Sequence, residues 1–331
     1  MTRFEQMKNL LDTKKYFKLV CGAGNEDAGQ VEKLAFTYTL AGAKGFDVSA
    51  NIEVVKKAVE GIAKATEYAP KLGKKIALTP FITVSIGMKG DPHVRKAVMN
   101  DNCVKCGACV PVCPTGAITG DLKIIEQKCI GCGACDTICR SNGISFYHKN
   151  KNLKSLLVDC KQAGAENIEL HAAVPDDSTI LNEWKMVNEI ITDNFVSMCL
   201  DRLHLSNFKV IDRINAAKKI AGDKIIIQAD GVPMSGGSDD FNTTLQAIAI
   251  ADIVNKAKLD VKILLSGGTN SQTVKLANMC GVNYHGVAIG TFARNIVKKE
   301  IKNLWNDNNI IESAVRKASE LVTVSIGEIP W

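Results

Sequence analysis

The 331-residue sequence predicts an α/β fold: a (β/α)8 barrel of the TIM type, interrupted after its third strand by a second domain rich in cysteine. Eight short apolar runs alternate with helical patterns, as such a barrel requires. Removing a cysteine-rich insert of roughly 60 residues leaves roughly 270, close to the typical ~250 of this fold. The predicted domains are a first barrel part at 1–90, the insert at 91–150, and a second barrel part with a C-terminal tail at 151–331.

The eight candidate strands are short runs rich in Val, Ile, Leu and Phe. They lie at 17–23, 45–51, 81–87, 167–173, 195–201, 224–231, 262–268 and 285–291. Stretches with helical apolar spacing separate them, for example 31–43 and 155–165. Because parallel neighbouring strands need a crossover connection, this alternation predicts a parallel sheet. The pentapeptide TVSIG occurs at 83–87 and again at 323–327, and only the first copy can be the third strand.

The insert is predicted to begin at Gly90-Asp91-Pro92, directly after the third apolar run. This position is a βα-loop. Active sites of these barrels lie on the face that carries the βα-loops. The cysteine-rich domain is therefore expected to sit over the mouth of the barrel, above a potential ligand pocket.

Two cysteine motifs dominate the insert, and both have the spacing C-x2-C-x2-C-x3-C. The first consists of Cys103, Cys106, Cys109 and Cys113, and the second of Cys129, Cys132, Cys135 and Cys139. In two-cluster bacterial ferredoxins, the fourth cysteine of each such run ligates the cluster held by the other run. We therefore assign Cys103, Cys106, Cys109 and Cys139 to one [4Fe–4S] cluster, and Cys129, Cys132, Cys135 and Cys113 to the other.

Zinc is the alternative metal. Zinc sites combine two C-x2-C pairs, however, and do not explain why the C-x2-C-x2-C-x3-C motif occurs twice. Arg140 follows the fourth cysteine of the second motif, where Pro114 follows that of the first. A positive side chain near a cluster raises its potential, so the two clusters are expected to be unequal. The four cysteines outside the motifs are predicted to be buried small apolar residues. They are Cys21, Cys160, Cys199 and Cys280.

A phosphate site is predicted at the last two strands, because their loops are rich in glycine and often bind phosphate in these barrels. The proposed cradle consists of Gly267, Gly268, Thr269, Gly290, Thr291 and Arg294. Its ligand would be FMN or another phosphorylated molecule. The alternative is that these glycines only close tight strand–helix turns.

Ionisable and polar residues also fall within or at the ends of the predicted strands, and a barrel would bring them to one mouth. They are Lys18, Asp47, Glu169, His171, Asp201, Gln228 and Asp230. No pair has a spacing that names a reaction, so the catalytic residues stay unassigned. His171 is the best single candidate for proton chemistry, against the alternative of a hydrogen-bonded structural histidine. The acidic, glycine-rich stretch 229–240 is expected to be a mobile loop at the same mouth.

A doubly wound nucleotide-binding sheet is the competing fold, because the stretch 21–29 follows a strand and opens a helix. Its G-x-G-x-x-G fingerprint fails, since Asp27 occupies the third glycine position. Asp27 and Glu26 would also repel a pyrophosphate.

The composition excludes several other classes. The chain is 46% apolar and 23% charged, with no apolar run of 18 residues and no signal peptide in its first 15 residues, so we expect a cytoplasmic protein without membrane insertion. The net charge of +6 comes from scattered lysines, and only 5% of residues are aromatic, so nucleic-acid binding is not expected.

The chain resembles the light-dependent period protein family (LdpA) of cyanobacteria. The resemblance rests on FKLVCGA and AFTYTLAGAKGFDVSAN near the start, VSIGMKGDPHVRKA before the clusters, the double cysteine motif, and QADGVPMSGG, LLSGGTN and GVAIGTFAR near the end. It implies an iron–sulfur protein that senses cellular redox state and, in cyanobacteria, informs the circadian clock.

Three functions follow as hypotheses. The first is a non-enzymatic redox sensor or electron relay with two [4Fe–4S] clusters and a protein redox or signalling partner. The second is a flavin-dependent barrel oxidoreductase whose clusters feed electrons to FMN. The third is a barrel that binds a phosphorylated metabolite and uses its clusters structurally. The sequence gives neither the cluster potentials nor the oligomeric state.

Overall fold

The computed structural model describes residues 1–87, 95–148, 152–202, 205–232 and 237–327. Within them, eight parallel strands close into a barrel. They are β1 (Tyr16–Val20), β2 (Gly45–Ser49), β3 (Phe81–Gly87), β6 (Asn167–His171), β7 (Val196–Leu200), β8 (Ile225–Asp230), β9 (Lys262–Ser266) and β10 (Gly286–Ile289). Their order around the barrel is β1-β10-β9-β8-β7-β6-β3-β2. Each coincides with one of the eight apolar runs, so the predicted (β/α)8 barrel is confirmed.

Helices surround the barrel and pack their apolar faces against the outside of the strands. The longer ones are α1 (Arg3–Asp12), α2 (Ala28–Leu40), α3 (Ile52–Tyr68), α6 (Leu153–Gln162), α7 (Asp177–Ile190), α8 (Asn207–Ala221), α9 (Phe241–Lys256) and α13 (Asn308–Ser325). The short ones are α10 (Thr273–Met279), α11 (Thr291–Ile296) and α12 (Lys298–Lys302), while α4 (Cys109–Val112) and α5 (Ala134–Thr137) lie in the cysteine-rich region. In the described residues, no helix combines the length and apolar character needed to cross a membrane.

The N-terminal helix α1 was not predicted. Its apolar side chains, including Met7 and Leu11, form a separate buried cluster with Phe81 and Phe195 at the start of the barrel strands. The sequence carried a signal for it, because Thr2 and Glu5 form a reciprocal capping box at its first turn. This helix closes the end of the barrel opposite the mouth.

The cysteine-rich region leaves the barrel between β3 and β6, and the barrel closes without it. These two strands pair directly, from Thr83 with Asn167 to Gly87 with His171. The excursion begins and ends with an antiparallel pair, β4 (Arg95–Met99) and β5 (Ile144–His148). The predicted boundaries at 90/91 and 150/151, together with Gly90-Asp91-Pro92, lie outside the described residues.

The repeated pentapeptide TVSIG takes two different structures. Its first copy lies in β3, whereas residues 323–325 of the second copy end the amphipathic helix α13. In the helix, Leu321, Val322 and Ser325 share the buried face. Tertiary packing therefore overrides the strand preference of these five residues.

Candidate metal centre and barrel mouth

The structure gathers the motif cysteines into two groups, and the fourth cysteine of each run lies with the other run. Burial raises the pKa of Cys109, and the neighbouring thiolates of Cys103, Cys106 and Cys139 raise it further. Cys109 therefore shares one site with the last cysteine of the second motif.

The second group consists of Cys113, Cys129, Cys132 and Cys135, which line one cavity with largely apolar walls. Burial raises the pKa of Cys135 to about 11, and the thiolates of Cys132 and Cys129 add to this effect. Burial also raises the pKa of Cys132, and the thiolates of Cys113 and Cys129 raise it further. Four cysteine side chains around one cavity would repel one another as thiolates, so a bound cation is needed to hold all four in that form.

Both fourth cysteines are held by the same turn. The backbone N–H four residues further on donates to the sulfur, from Ala117 to Cys113 over 3.2 Å and from Gly143 to Cys139 over 3.1 Å. The hydroxyl of Ser141 and the Gly143 N–H lower the pKa of Cys139. Burial raises the pKa of Cys113, but a hydroxyl two residues on and backbone N–H groups outweigh it. Hydrogen bonds of this kind stabilise a bound thiolate.

The cluster region is fastened to the barrel by a buried lysine. The Lys96 ammonium donates to the carbonyl oxygens of Gly24 and Cys129, each over 2.7 Å. Its nitrogen also lies 3.7 Å from the Glu26 carboxylate. A backbone hydrogen bond of 2.8 Å from Glu26 to the carbonyl of Gln127 runs alongside. The loop after β1 and the loop that begins the second cysteine motif are thus held together.

The barrel mouth contains a cavity of about 80 Å³ beneath this junction. Ile130, which follows Cys129, forms part of its wall and also part of the wall around the second cysteine group. The cavity brings together ten of the predicted barrel-site residues. They are Asp47, Glu169, His171, Asp230, Gly267, Gly268, Thr269, Gly290, Thr291 and Arg294.

A buried charge network fills the barrel centre below the cavity. The Lys18 Nζ lies 2.5 Å from Glu169 Oε2 and 3.8 Å from Asp47 Oδ2. Ser85 donates a hydrogen bond to the same Asp47 carboxylate. Burial alone would lower the pKa of Lys18, but the two carboxylates outweigh it and hold the pKa above its ordinary value. Lys18 is therefore a charged structural cation and not a free amine nucleophile.

One layer higher, three different metal-ligating side chains converge. His171 Nε2 lies 3.6 Å from Glu169 Oε1. Cys199 stands beside His171 in the strand register and donates from its sulfur to Asp230 Oδ2 over 3.1 Å. Burial, with the nearby Asp230 and Glu169 carboxylates, raises the pKa of the Cys199 thiol. The ligand atoms of Glu169, His171 and Cys199 all lie within 4.8 Å of one another.

Comparison with known proteins gives the family. The family model for the light dependent period A C-terminal domain matches residues 159–327, slightly more than half of the chain. The chain belongs to the light dependent period A family. The resemblance seen in the sequence is thereby confirmed. A 4Fe-4S binding domain model also matches residues 97–119, which contain the first cysteine motif. The chain is an iron–sulfur protein of this family.

A relative named Light dependent period A, from Synechococcus elongatus, is 28% identical and covers 96% of this chain and 90% of that protein. Among solved structures, the QR15 aldolase is 12% identical, covers 88% of this chain and 97% of that chain, and gives a TM-score of 0.47. The YdjI aldolase from Escherichia coli K12 is 10% identical, covers 96% of this chain and 94% of that chain, and gives a TM-score of 0.48. These likenesses concern overall architecture only.

In this light dependent period A family member, the predicted phosphate residues also have structural contacts. A Cβ on Gly267 would lie 1.8 Å from Asp230 Oδ1, so this glycine makes room for a carboxylate. Thr269 donates to the Ala288 carbonyl over 2.6 Å. Arg294 donates to the Val20 carbonyl over 2.5 Å. These contacts agree with the alternative that the residues only close tight strand–helix turns. Phosphate binding at this place stays a prediction.

Two residues at this site, Lys96 and Cys199, were not predicted from the sequence to have a role there. Lys96 gave no signal, because its partners are backbone carbonyls that no side-chain pattern reveals. Cys199 was interpreted as a structural thiol, although the alternation along β7 places it on the inner face with Ser197. Of the stretch 229–240, Asp230 lines the cavity and Asp240 caps α9, while 233–236 lie outside the described residues.

Proposed function

We propose that the chain binds two [4Fe–4S] clusters and acts as a redox sensor or electron relay. Cluster 1 would be held by Cys103, Cys106, Cys109 and Cys139, and cluster 2 by Cys113, Cys129, Cys132 and Cys135. The observation that carries the proposal is the exchange of the fourth cysteine between the two runs. This exchange is the arrangement of two-cluster ferredoxins, in which the shared loops bring the clusters close together.

The two clusters would have different neighbours, which gives the relay a direction. Cluster 1 would lie at the outer side, where Cys106 is exposed and Val104 and Ile138 are 69% and 44% exposed. Exposed apolar side chains beside a redox centre suit the docking of a protein redox or signalling partner. Cluster 2 would lie against the barrel, because Lys96 bonds the Cys129 carbonyl to the loop after β1.

The name of the Synechococcus relative connects that protein with a light-dependent period. For this chain we propose the more general role of passing redox information to a regulatory system such as the circadian clock. The redox state of the clusters would be the signal, and a protein partner would read it. The cytoplasm is the compartment that suits thiolate-bound clusters.

The test begins with protein purified without oxygen, which should contain about eight iron and eight sulfide per chain. The electron paramagnetic resonance spectrum of the reduced Cys139→Ser protein should match that of Cys106→Ser. Likewise, Cys113→Ser should match Cys132→Ser. The buried thiol Cys160, outside both groups, supplies the control Cys160→Ser. About four irons in the unchanged protein would contradict the assignment. So would a Cys139→Ser spectrum that matches Cys132→Ser, or a Cys113→Ser spectrum that matches Cys106→Ser.

A sensor or relay also needs clusters that take up and release an electron reversibly. Potentiometric titration followed by electron paramagnetic resonance measures this directly. We expect two separate midpoints, because Arg140 follows Cys139 whereas Pro114 follows Cys113. Clusters that are never reduced within the physiological range would have only a structural role.

A flavin-fed oxidoreductase is the second candidate, favoured by one observation. Ile130 borders both the cavity beside cluster 2 and the barrel mouth, so a ligand in the mouth would lie next to the cluster. Acid release from anaerobically purified protein should then yield stoichiometric FMN or another phosphorylated molecule. An empty extract from iron-replete protein would leave the sensor or relay as the function to pursue.

A further inference from the structure

We propose that the barrel mouth is a binding site for one divalent transition-metal ion of the zinc class, held by Glu169, His171 and Cys199. This metal would be separate from the iron of the clusters, and its site uses none of the eight motif cysteines. The inference does not depend on the relay proposed above.

The strands place the three ligand groups side by side. Glu169 and His171 are two positions apart on β6 and so face the same side, the barrel interior. Cys199 on β7 pairs with His171 in the register. All three side chains are at most 9% exposed, and their ligand atoms lie within 4.8 Å of one another. Zinc bonds of about 2.0–2.3 Å would require these atoms to close in by roughly 1 Å.

The charge of the surroundings favours a cation. Four buried carboxylates lie in this part of the barrel, those of Asp47, Glu169, Asp201 and Asp230. In the described part of the chain, the cations beside them are Lys18 and Arg294, so the carboxylates outnumber the cations. Buried charges are stable when they are paired or coordinate a metal. A divalent ion would offset this negative charge.

The mixture of donors selects the metal. An imidazole nitrogen, a thiolate sulfur and a carboxylate oxygen together suit zinc, whereas magnesium and calcium prefer oxygen alone. Three protein ligands leave one position of a tetrahedral zinc ion open. That position would face the cavity of about 80 Å³, which has room for water or a small oxygen ligand. Asp230 already accepts a hydrogen bond from Cys199, so its carboxylate would lie next to the metal-bound sulfur.

The experiment measures zinc and iron in the same sample. Anaerobically purified protein is passed through a desalting column with EDTA, and both metals are counted by mass spectrometry. We expect about one zinc per chain beside the full iron content. The variants His171→Gln and Cys199→Ser should lose at least roughly four-fifths of the zinc and keep all of the iron. Cys160→Ser removes a buried thiol on the outer helix α6, which is none of the proposed ligands, and should keep both metals.

X-ray absorption at the zinc edge identifies the ligands even if a variant folds poorly. We expect one sulfur at about 2.3 Å and nitrogen and oxygen neighbours at about 2.0–2.1 Å. A zinc shell of several sulfurs would place the metal in the cluster cysteines and overturn the proposal. Iron-replete protein that neither contains zinc nor binds added zinc would overturn it as well. Retained zinc in His171→Gln and Cys199→Ser would overturn it too, because the metal would then not depend on these side chains.

Discussion

The Lys18 ammonium and the Glu169 carboxylate form a buried ion pair of 2.5 Å at the centre of the barrel. Each side chain is at most 3% exposed, and the Asp47 carboxylate lies 3.8 Å from the same ammonium. The interior of such a barrel is usually filled by layers of branched apolar residues. Here the layers below the mouth are polar. The Lys18 ammonium pairs with carboxylates from two strands, Asp47 of β2 and Glu169 of β6.

Replacing Lys18 by Met should strongly destabilise the protein. Asp47 and Glu169 would remain buried without their cation, and breaking one side of a buried pair costs roughly 3–5 kcal/mol. The free energy of unfolding, measured anaerobically with urea, checks this. A second change, Glu169→Gln, in the Lys18→Met protein should recover part of the loss.

The surface pair of Lys57 and Glu60 supplies the control. Both side chains are well exposed, so water and salt screen their attraction. Lys57→Met should therefore leave the unfolding midpoint almost unchanged. Equal losses in Lys18→Met and Lys57→Met would show that burial does not matter here.

Gly267→Ala should disturb the mouth far more than Gly281→Ala. Both glycines have a positive φ, +67° and +64°, which costs any other residue roughly 1–2 kcal/mol. Only at Gly267 would the new Cβ meet other groups, the Asp230 carboxylate and the Gly231 backbone nitrogen at 2.6 Å, whereas Gly281 has open space. We expect Gly267→Ala to cost roughly 1–3 kcal/mol more in the free energy of unfolding. Equal costs would mean that Asp230 and the Gly231 backbone can both shift freely.

Lys96→Met should loosen the proposed cluster 2 and leave the proposed cluster 1 in place. The change leaves the buried carbonyls of Gly24 and Cys129 without their ammonium donor. We expect faster bleaching of cluster 2 in air, followed by its electron paramagnetic resonance signal. Lys298→Met, which removes an exposed bond to the Pro114 carbonyl, is the matched control. An unchanged bleaching rate in Lys96→Met would show that the fastening does not protect the cluster.

His285 should make the fold less stable in mild acid. Burial, and then the positive charge of Lys262, lower its pKa to about 4 from an ordinary 6.5, and its Nδ1 accepts a hydrogen bond from the Ile263 N–H. The unfolded chain therefore binds a proton at a higher pH than the folded one, and stability falls between pH 6.5 and 4. With solvent screening, we expect a loss of about 1 kcal/mol between pH 7 and 5.5.

His285→Gln keeps an acceptor for the Ile263 N–H but does not titrate in this range. Urea unfolding of both proteins at pH 7 and 5.5 isolates the contribution of His285. The variant should lose less stability than the unchanged protein over the same interval. Parallel losses in the two proteins would assign the acid sensitivity to other groups.

Much of the fold could be predicted because its signals are local. Each barrel strand is a short apolar run next to a helical pattern, so all eight appear in the sequence. The second TVSIG shows the limit of such signals, since the same five residues form a strand in one place and end a helix in another. Helix α1 was not predicted, although the Thr2 and Glu5 capping box indicates its first turn.

The sequence by itself determined the eight-strand barrel, the place of the cysteine-rich excursion after the third strand, and the two cysteine motifs, because spacing along the chain encodes all three. Only the tertiary structure decided which buried groups meet. Lys18 finds Glu169 across the barrel, Lys96 joins two loops through backbone carbonyls, and Cys199 comes to lie beside His171. These contacts join residues far apart in the chain, and they depend on barrel closure and strand register, which no local pattern specifies.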